Sequence, residues 1–413
     1  MHTRRKFLQG SAGGALTAFG ALGAEPTARA SAAPDTGPDI GSLYPFVKSQ
    51  AVAGEFPLSF LQAQFTDVSA WKPRARQKLL DLLHYAPPRC DPRAEVVARV
   101  DRGDYFEERI AFDTTPDVRV PAFVLVPKKT RGKAPGIVAL HDHGGFYMWG
   151  KEKLVELPGE HPALTAFKAQ LYGGRSIASD LARAGYVVAV IDMFYWGERR
   201  MLLADDAPDW RERTASLTQE RLNAFDRRAS ESEQLVARSV EAAGFTWPGV
   251  MFWDDIRTLD YLAARPEVDA SRLGCVGLSV GAVRSLHLAA LDDRIKAAVV
   301  VGWMTSFPAQ LERRVRNSIG FTKLVPGLYR HLDYPDVGSL AMPRPLLVIN
   351  GSQDALFEPA GVRAAFEKLA ACYRKAGVPE RVKTRLYDTP HEFNLEMQRE
   401  AWAFLETHLR RAA

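Results

Sequence analysis

Gly277-Leu278-Ser279-Val280-Gly281 stands between an apolar run, Arg272 to Val276, and a run rich in small and apolar residues, Ala282 to Leu291. The first run reads as a short buried strand and the second as a helix. A strand entering a helix through Gly-x-Ser-x-Gly must turn sharply, and the serine then stands clear at the carboxyl end of a sheet. Ser279 is the candidate nucleophile. The competing reading is a tight turn whose serine caps a helix.

The rest of the chain supplies a sheet for that elbow. Apolar strand-like segments fall at Gly136 to Leu140, Tyr186 to Ile191, Arg272 to Val276, Ala297 to Val301, Pro345 to Ile349 and Val382 to Leu386. Helical patterns alternate with them at Arg175 to Ala184, Trp253 to Ala264, Val280 to Ala290, Ala360 to Ala376 and Leu395 to His408. Such alternation predicts an α/β fold, a mostly parallel sheet with helices on both faces. Three strands, Glu95 to Arg102, Phe106 to Asp113 and Val118 to Val126, precede it. Upstream again, Leu43 to Pro88 carries a helical pattern, clearest at Ala75 to Leu83. The expected organisation is an export segment over 1–30, a linker and N-terminal helical accessory segment over 31–106, and the main domain over 107–413. Charged helical sequence interrupts the sheet pattern at about 199–247 and predicts a helical cap insertion at the carboxyl edge, where such folds bind ligands. Within it, Ser216-Leu217-Thr218-Gln219 has capping-box form, and Leu222, Phe225 and Ala229 follow at helical spacing.

A serine hydroxyl needs a base within hydrogen-bond reach, itself oriented by a carboxylate. Two strand-ending loops offer them. Leu346 to Ile349 runs into Asn350-Gly351-Ser352-Gln353-Asp354, and Leu386 into Tyr387-Asp388-Thr389-Pro390-His391. The order Ser, Asp, His assigns Asp354 as orienter and His391 as base. Asp388 and Asp192 are the other candidate carboxylates. An oxyanion needs two donors, one from the N–H of Val280 and one from His143 or Gly144, in the loop His141-Asp142-His143-Gly144-Gly145-Phe146. His141 and His143 have a second reading as metal ligands, but no further spaced ligands accompany them, so no metal and no cofactor is expected. Phe146, Tyr147, Trp149, Tyr195, Trp196 and Trp303 follow these strands and are expected to rim the substrate pocket.

These residues, His141 to Gly145, the Ser279 elbow, Asp354 and His391, with Asp192 ending a strand, resemble the α/β-hydrolase superfamily from about Glu107 to the C-terminus. Within it the chain is most similar to the dienelactone-hydrolase and acetyl-xylan-esterase-like branch, and His391-Glu392 is similar to the His-Glu pair of those esterases. The esterases carry Gln and Gly-Gly after the serine, where this chain has Val280-Gly281-Ala282. Dienelactone hydrolases use cysteine in place of Ser279. The resemblance implies a carboxylic ester hydrolase acting through an acyl-enzyme on a small-molecule or glycan ester, with sugar and aromatic esters equally open. A peptidase of prolyl-oligopeptidase type and a non-catalytic binding protein on this fold are the alternatives. The region before Glu107 is too short for the propeller of the former, and none of the three catalytic positions is lost, as the latter would have it.

At the N-terminus, Thr3-Arg4-Arg5-Lys6-Phe7-Leu8, the small-residue stretch Ser11 to Gly23 and Ala28-Arg29-Ala30 have the form of a cleavable twin-arginine export signal, with a Sec signal carrying a chance arginine pair as the alternative. The expected partner is the twin-arginine export machinery and the expected location periplasmic or secreted. Removing residues 1–30 lowers the formal charge from +5 to about +2, and basic and acidic residues are interspersed, so no nucleic-acid surface is expected. No membrane span is expected in the mature chain.

Overall fold

The computed structural model describes residues 37–410 except 131 and 214–216; the export signal and Ser216 lie outside the described residues. Nine strands form one sheet: β1 (Glu95–Asp101), β2 (Tyr105–Thr115), β3 (Val118–Pro127), β4 (Ala134–Leu140), β5 (Val187–Ile191), β6 (Val268–Leu278), β7 (Ile295–Val301), β8 (Leu346–Gly351) and β9 (Val382–Tyr387). Their spatial order is β1-β2-β3-β5-β4-β6-β7-β8-β9. The first three strands and β5 pair antiparallel, and β5 through β9 run parallel. This is the α/β-hydrolase fold expected from the sequence.

The chain steps from β4 outward to β5 and then back across to β6. That reversal opens a crevice at the carboxyl ends of β4 and β6, the place where open parallel sheets bind ligands. Ser279 follows β6 directly.

Strand residues alternate between two apolar layers. Cys275, Ala298, Val300, Leu346 and Val348 face one layer, built with the helices Val68–Leu83, Trp247–Ala264, Val280–Leu291 and Pro359–Lys375. Val276, Leu278, Val299, Val301, Leu347 and Ile349 face the other, built with Ile177–Arg183 and Leu395–Leu409. With both faces covered, the central strands read as continuous apolar runs.

The N-terminal segment is part of this core. The Val68–Leu83 helix buries Trp71, Ala75, Leu79 and Leu83, one per turn, and Trp71 Nε1 donates to Leu58 O at 2.8 Å. Residues 37 onward form one compact unit, and the boundary expected at 107 falls inside β2, which pairs with β1 through Glu107 and Val100. A helical pattern across Leu43 to Pro88 is interrupted by turns between Gln50 and Val68. No helix of the described residues is long and apolar enough to cross a membrane.

Candidate active site

Ser279 adopts φ 59° and ψ −121°, a backbone conformation few residues other than glycine take. Its neighbours explain how the turn closes. A Cβ on Gly277 would lie 2.2 Å from Gly281 O, and one on Gly281 would lie 2.0 Å from Leu140 O. Only glycine lets the helix start this close to the ends of β4 and β6. Ser279 N donates to Val301 O at 2.8 Å, tying the elbow to β7. The Val280–Leu291 helix is held from below by a buried bidentate ion pair, Arg284 to Asp255, at 2.6 and 3.0 Å.

His391 Nδ1 donates to Asp354 Oδ2 at 2.5 Å, while Asp354 Oδ1 accepts the N–H of Leu356 at 3.0 Å. Gly351 lets the two loops meet, since a Cβ there would stand 2.3 Å from Thr389 O. His391 also packs on Gly302, where a Cβ would come within 3.1 Å of its Cε1. Gly302 follows β7, so the imidazole sits beside the strand that anchors Ser279. Asp388 points elsewhere: it accepts from Ser352 Oγ at 2.9 Å and Gln353 Nε2 at 3.0 Å in an exposed turn.

The loop after β4 is pinned at three successive side chains. His141 Nδ1 donates to Asp142 O at 2.8 Å and its Nε2 accepts from Met193 N at 3.0 Å. Burial, with the charges of Lys153 and Arg284, holds His141 well below the ordinary histidine value, so it is neutral. Asp142 takes the Tyr172 hydroxyl at 2.5 Å and the Lys153 ammonium at 3.2 Å. His143 Nδ1 accepts the N–H of Gly145 at 3.0 Å, which leaves Nε2 as the donor to Glu233 Oε1 at 2.7 Å. Both ring nitrogens of each histidine are committed, and neither can turn to a metal without breaking the loop. Gly145 N is used by His143, whereas among the described residues no backbone acceptor takes the N–H of Gly144. Gly144 has φ +60°, and a Cβ there would clash with Asp142 and Phe167 at 2.5 Å.

Glu233 comes from the insertion. The Gln219–Ala242 helix, capped by Thr218, buries Leu222, Phe225 and Ala229 as the spacing predicts, and Glu233 with them. It also takes the Tyr147 hydroxyl at 2.8 Å, while Asp226 accepts Tyr147 N at 2.9 Å. Burial would raise the Glu233 carboxyl, but hydrogen bonds from His143 and Tyr147 bring it below the ordinary value. The insertion thus lies on the loop after β4.

The aromatic residues expected at the rim are buried instead. Tyr147, Tyr195 and Trp196 are 1%, 2% and 0% exposed and pack on His143, Trp247 and each other, with Tyr147 stacked on Trp196 at 4.8 Å. Phe146 and Trp149 pack against Phe167 and His161, and Trp303 against Tyr334 and Phe357. Rings of this area stabilise more by packing as a wall behind the loop than by lining its edge. Trp196 Nε1 keeps a polar task and donates to His143 O at 3.2 Å.

Asp192 is also structural. It is fully buried and accepts from Lys151 N at 2.8 Å, Lys151 Nζ at 2.7 Å and Glu198 N at 3.0 Å. Its carboxylate and those of Glu152 and Glu198 bring oxygens within 4.8 Å of one another, as metal ligands do. Here the Lys151 ammonium lies among them, 2.7 Å from Asp192, 3.2 Å from Glu152 and 2.5 Å from Glu198, and Arg213 reaches Glu152 at 2.8 Å. Burial alone would lower Lys151; Asp192, Glu152 and Glu198 outweigh it and raise it.

Glu233, Lys151, Lys153 and Tyr172 carry no sequence signal, because each acts through a partner far along the chain. Comparison with known proteins agrees with this architecture. The Abhydrolase family pattern matches residues 43–413. YtaP of Bacillus subtilis (strain 168), named as a hydrolase, is 27% identical over 334 residues, covering 81% of this chain and 98% of its own. A Bacteroides fragilis NCTC 9343 structure described as an acetyl xylan esterase superposes with TM-score 0.66 at 19% identity, covering 84% of this chain and 82% of that one. A glucuronoyl esterase from Solibacter usitatus superposes with TM-score 0.59 at 14% identity, covering 87% and 99%. The elbow, the sheet order and the match across nearly the whole chain place it in the Abhydrolase family.

Proposed function

We propose that the chain is a serine esterase of the acetyl-xylan-esterase-like branch, cleaving carboxylic esters through an acyl-enzyme. The observation that carries this reading is a serine at a strained elbow tied to the end of β7, and a histidine packed on the glycine that follows β7, whose Nδ1–H is held by a buried carboxylate. In the first half, Ser279 Oγ attacks the ester carbonyl and His391 Nε2 takes its proton, then gives it to the leaving alcohol oxygen as the C–O bond breaks. In the second half, His391 takes a proton from water, whose oxygen attacks the acyl carbon, and gives it to Ser279 Oγ as the acyl C–Oγ bond breaks, which releases the acid and restores both side chains. Asp354 keeps the imidazole in the tautomer both steps need. The N–H groups of Val280 and of Gly144 or His143 meet the oxyanion. The similar structures described as acetyl xylan and glucuronoyl esterases favour an ester of a glycan.

A panel of chromogenic esters of varied acyl length, run beside a chromogenic peptide, tests the reading. Wild type is expected to turn over esters and Ser279→Ala to lose at least about 10⁴ of kcat. Peptide cleavage without ester cleavage would assign it to the peptidases. We further propose that Arg4-Arg5 directs export by the twin-arginine route to the periplasm or beyond. Replacing both by lysine should trap the precursor in the cytoplasm, and undiminished periplasmic accumulation would refute that route.

A further inference from the structure

β7 and β8 are joined by a long segment whose first residue, Gly302, lies against His391. Trp303 follows Gly302, on which His391 packs, and is buried against Tyr334 and Phe357. A short turn, Phe321–Lys323, then packs against the helices Gln219–Ala242, Trp247–Ala264 and Val280–Leu291, the last of which begins at the residue after Ser279. From this turn the Lys323 side chain reaches back, with Nζ 4.9 Å from the centre of the Trp303 ring.

Lys323 differs from the other lysines around the site. Lys151 and Lys153 are buried on Asp192 and Asp142. Lys323 is partly buried, and among the described residues neither an ion pair nor a hydrogen bond is made to its ammonium. The one carboxylate whose charge reaches it is Glu233, whose Oε1 already takes His143 and Tyr147. The turn that carries Lys323 packs on the helix that carries Glu233, and its ammonium lies over the ring of Trp303, the residue after the Gly302 on which His391 packs. Taking an ammonium out of water costs free energy unless an opposite charge compensates it, and an indole face compensates only part. Burial lowers it to about 8, which leaves it mostly protonated at neutral pH.

We propose that Lys323 is the recognition cation of this site, and that the ester cleaved here carries a free carboxylate near the scissile bond. The inference rests on the catalytic reading of Ser279 above and adds the charge of the substrate to it. A carboxylate seated on Lys323 supplies the missing counter-charge. Lys323 acts on binding and positioning and takes no proton in the reaction.

The test uses two acetate esters of nearly the same shape, 4-acetoxybenzoate and 4-acetoxybenzamide, with wild type, Lys323→Met, Lys323→Arg and Ser279→Ala. Wild type is expected to favour the carboxylate ester in kcat/KM by about tenfold or more, the usual worth of a hydrogen bond to a charged group. Lys323→Met should raise KM for 4-acetoxybenzoate by a similar factor with kcat little changed, leave 4-acetoxybenzamide unaffected, and lose the preference; Lys323→Arg should restore it. Equal rates on the two esters in wild type, or an equal effect of Lys323→Met on both, would overturn the proposal. Activity in Ser279→Ala would instead overturn the catalytic reading, so the two failures are told apart.

Discussion

Asp354→Asn should fold normally and lose about 10⁴ in kcat, as orienting carboxylates do in serine triads. The 2.5 Å bond from His391 Nδ1 fixes the tautomer with an unprotonated Nε2, the base that the proposed reaction needs. An asparagine can offer its NH₂ to Nδ1 instead, which turns Nε2 into the protonated nitrogen and leaves no base. The two other carboxylates separate cleanly. Asp388→Asn removes only the acceptor of Ser352 and Gln353 in an exposed turn, so its kcat should stay within a few-fold of wild type. Near-wild-type kcat in a folded Asp354→Asn protein, with loss in Asp388→Asn, would reverse the assignment. Circular dichroism of each variant guards against unfolding as the cause.

Lys151→Met should cost about 3–5 kcal/mol of stability, the usual effect of removing one partner from a buried ion cluster. Asp192 and Glu152 would remain in the interior with Arg213 as their main cation, and the Lys151 stem would be replaced without its charge. The surroundings cannot relax easily. A Cβ on Gly150 would stand 2.3 Å from Asp192 Oδ1 and one on Gly197 2.2 Å from it, so the backbone already closes on this carboxylate from two sides. Met193, next in the chain, donates to His141, and the loop that carries the oxyanion donors should loosen along with the cluster. Urea unfolding measured at equilibrium reads the cost. A loss below about 1 kcal/mol would mean that the cluster is hydrated in solution and acts as a surface pair.

The three residues that matter most for the proposed chemistry were readable because each sits in a local pattern. The elbow needs its glycines within five residues, and Asp354 and His391 each follow an apolar strand by a few positions. What holds them was not readable. His143 meets Glu233 across 90 residues, Asp142 meets Tyr172 across 30, and Lys151 meets Asp192 across 41. No period or spacing reports a pair of that kind.

The aromatic residues were misplaced for a related reason. Sequence shows that Tyr147, Tyr195 and Trp196 follow strand ends, but not that the insertion covers them. Helix limits failed where local rules compete. The sequence pattern starts this helix at Trp253, yet it begins at Trp247, with proline in its first turn and Gly249 N donating to the Thr246 cap at 3.0 Å. The N-terminal helix was legible as a helix at Ala75 to Leu83, within the observed Val68–Leu83. Its membership in the main core depends on what lies opposite Trp71 and Leu79, which only the fold reveals.

Covalent trapping tests the central claim most directly. Wild type and Ser279→Ala would be treated with a 4-nitrophenyl alkylphosphonate ester, a reagent that forms a stable adduct with an activated serine, and analysed by intact mass and peptide mapping. The account predicts one adduct in wild type, on Ser279, formed in step with complete loss of ester hydrolysis, and none in Ser279→Ala. Inactivation with the adduct on another residue, or a Ser279→Ala protein that is still labelled and still hydrolyses esters, would contradict it.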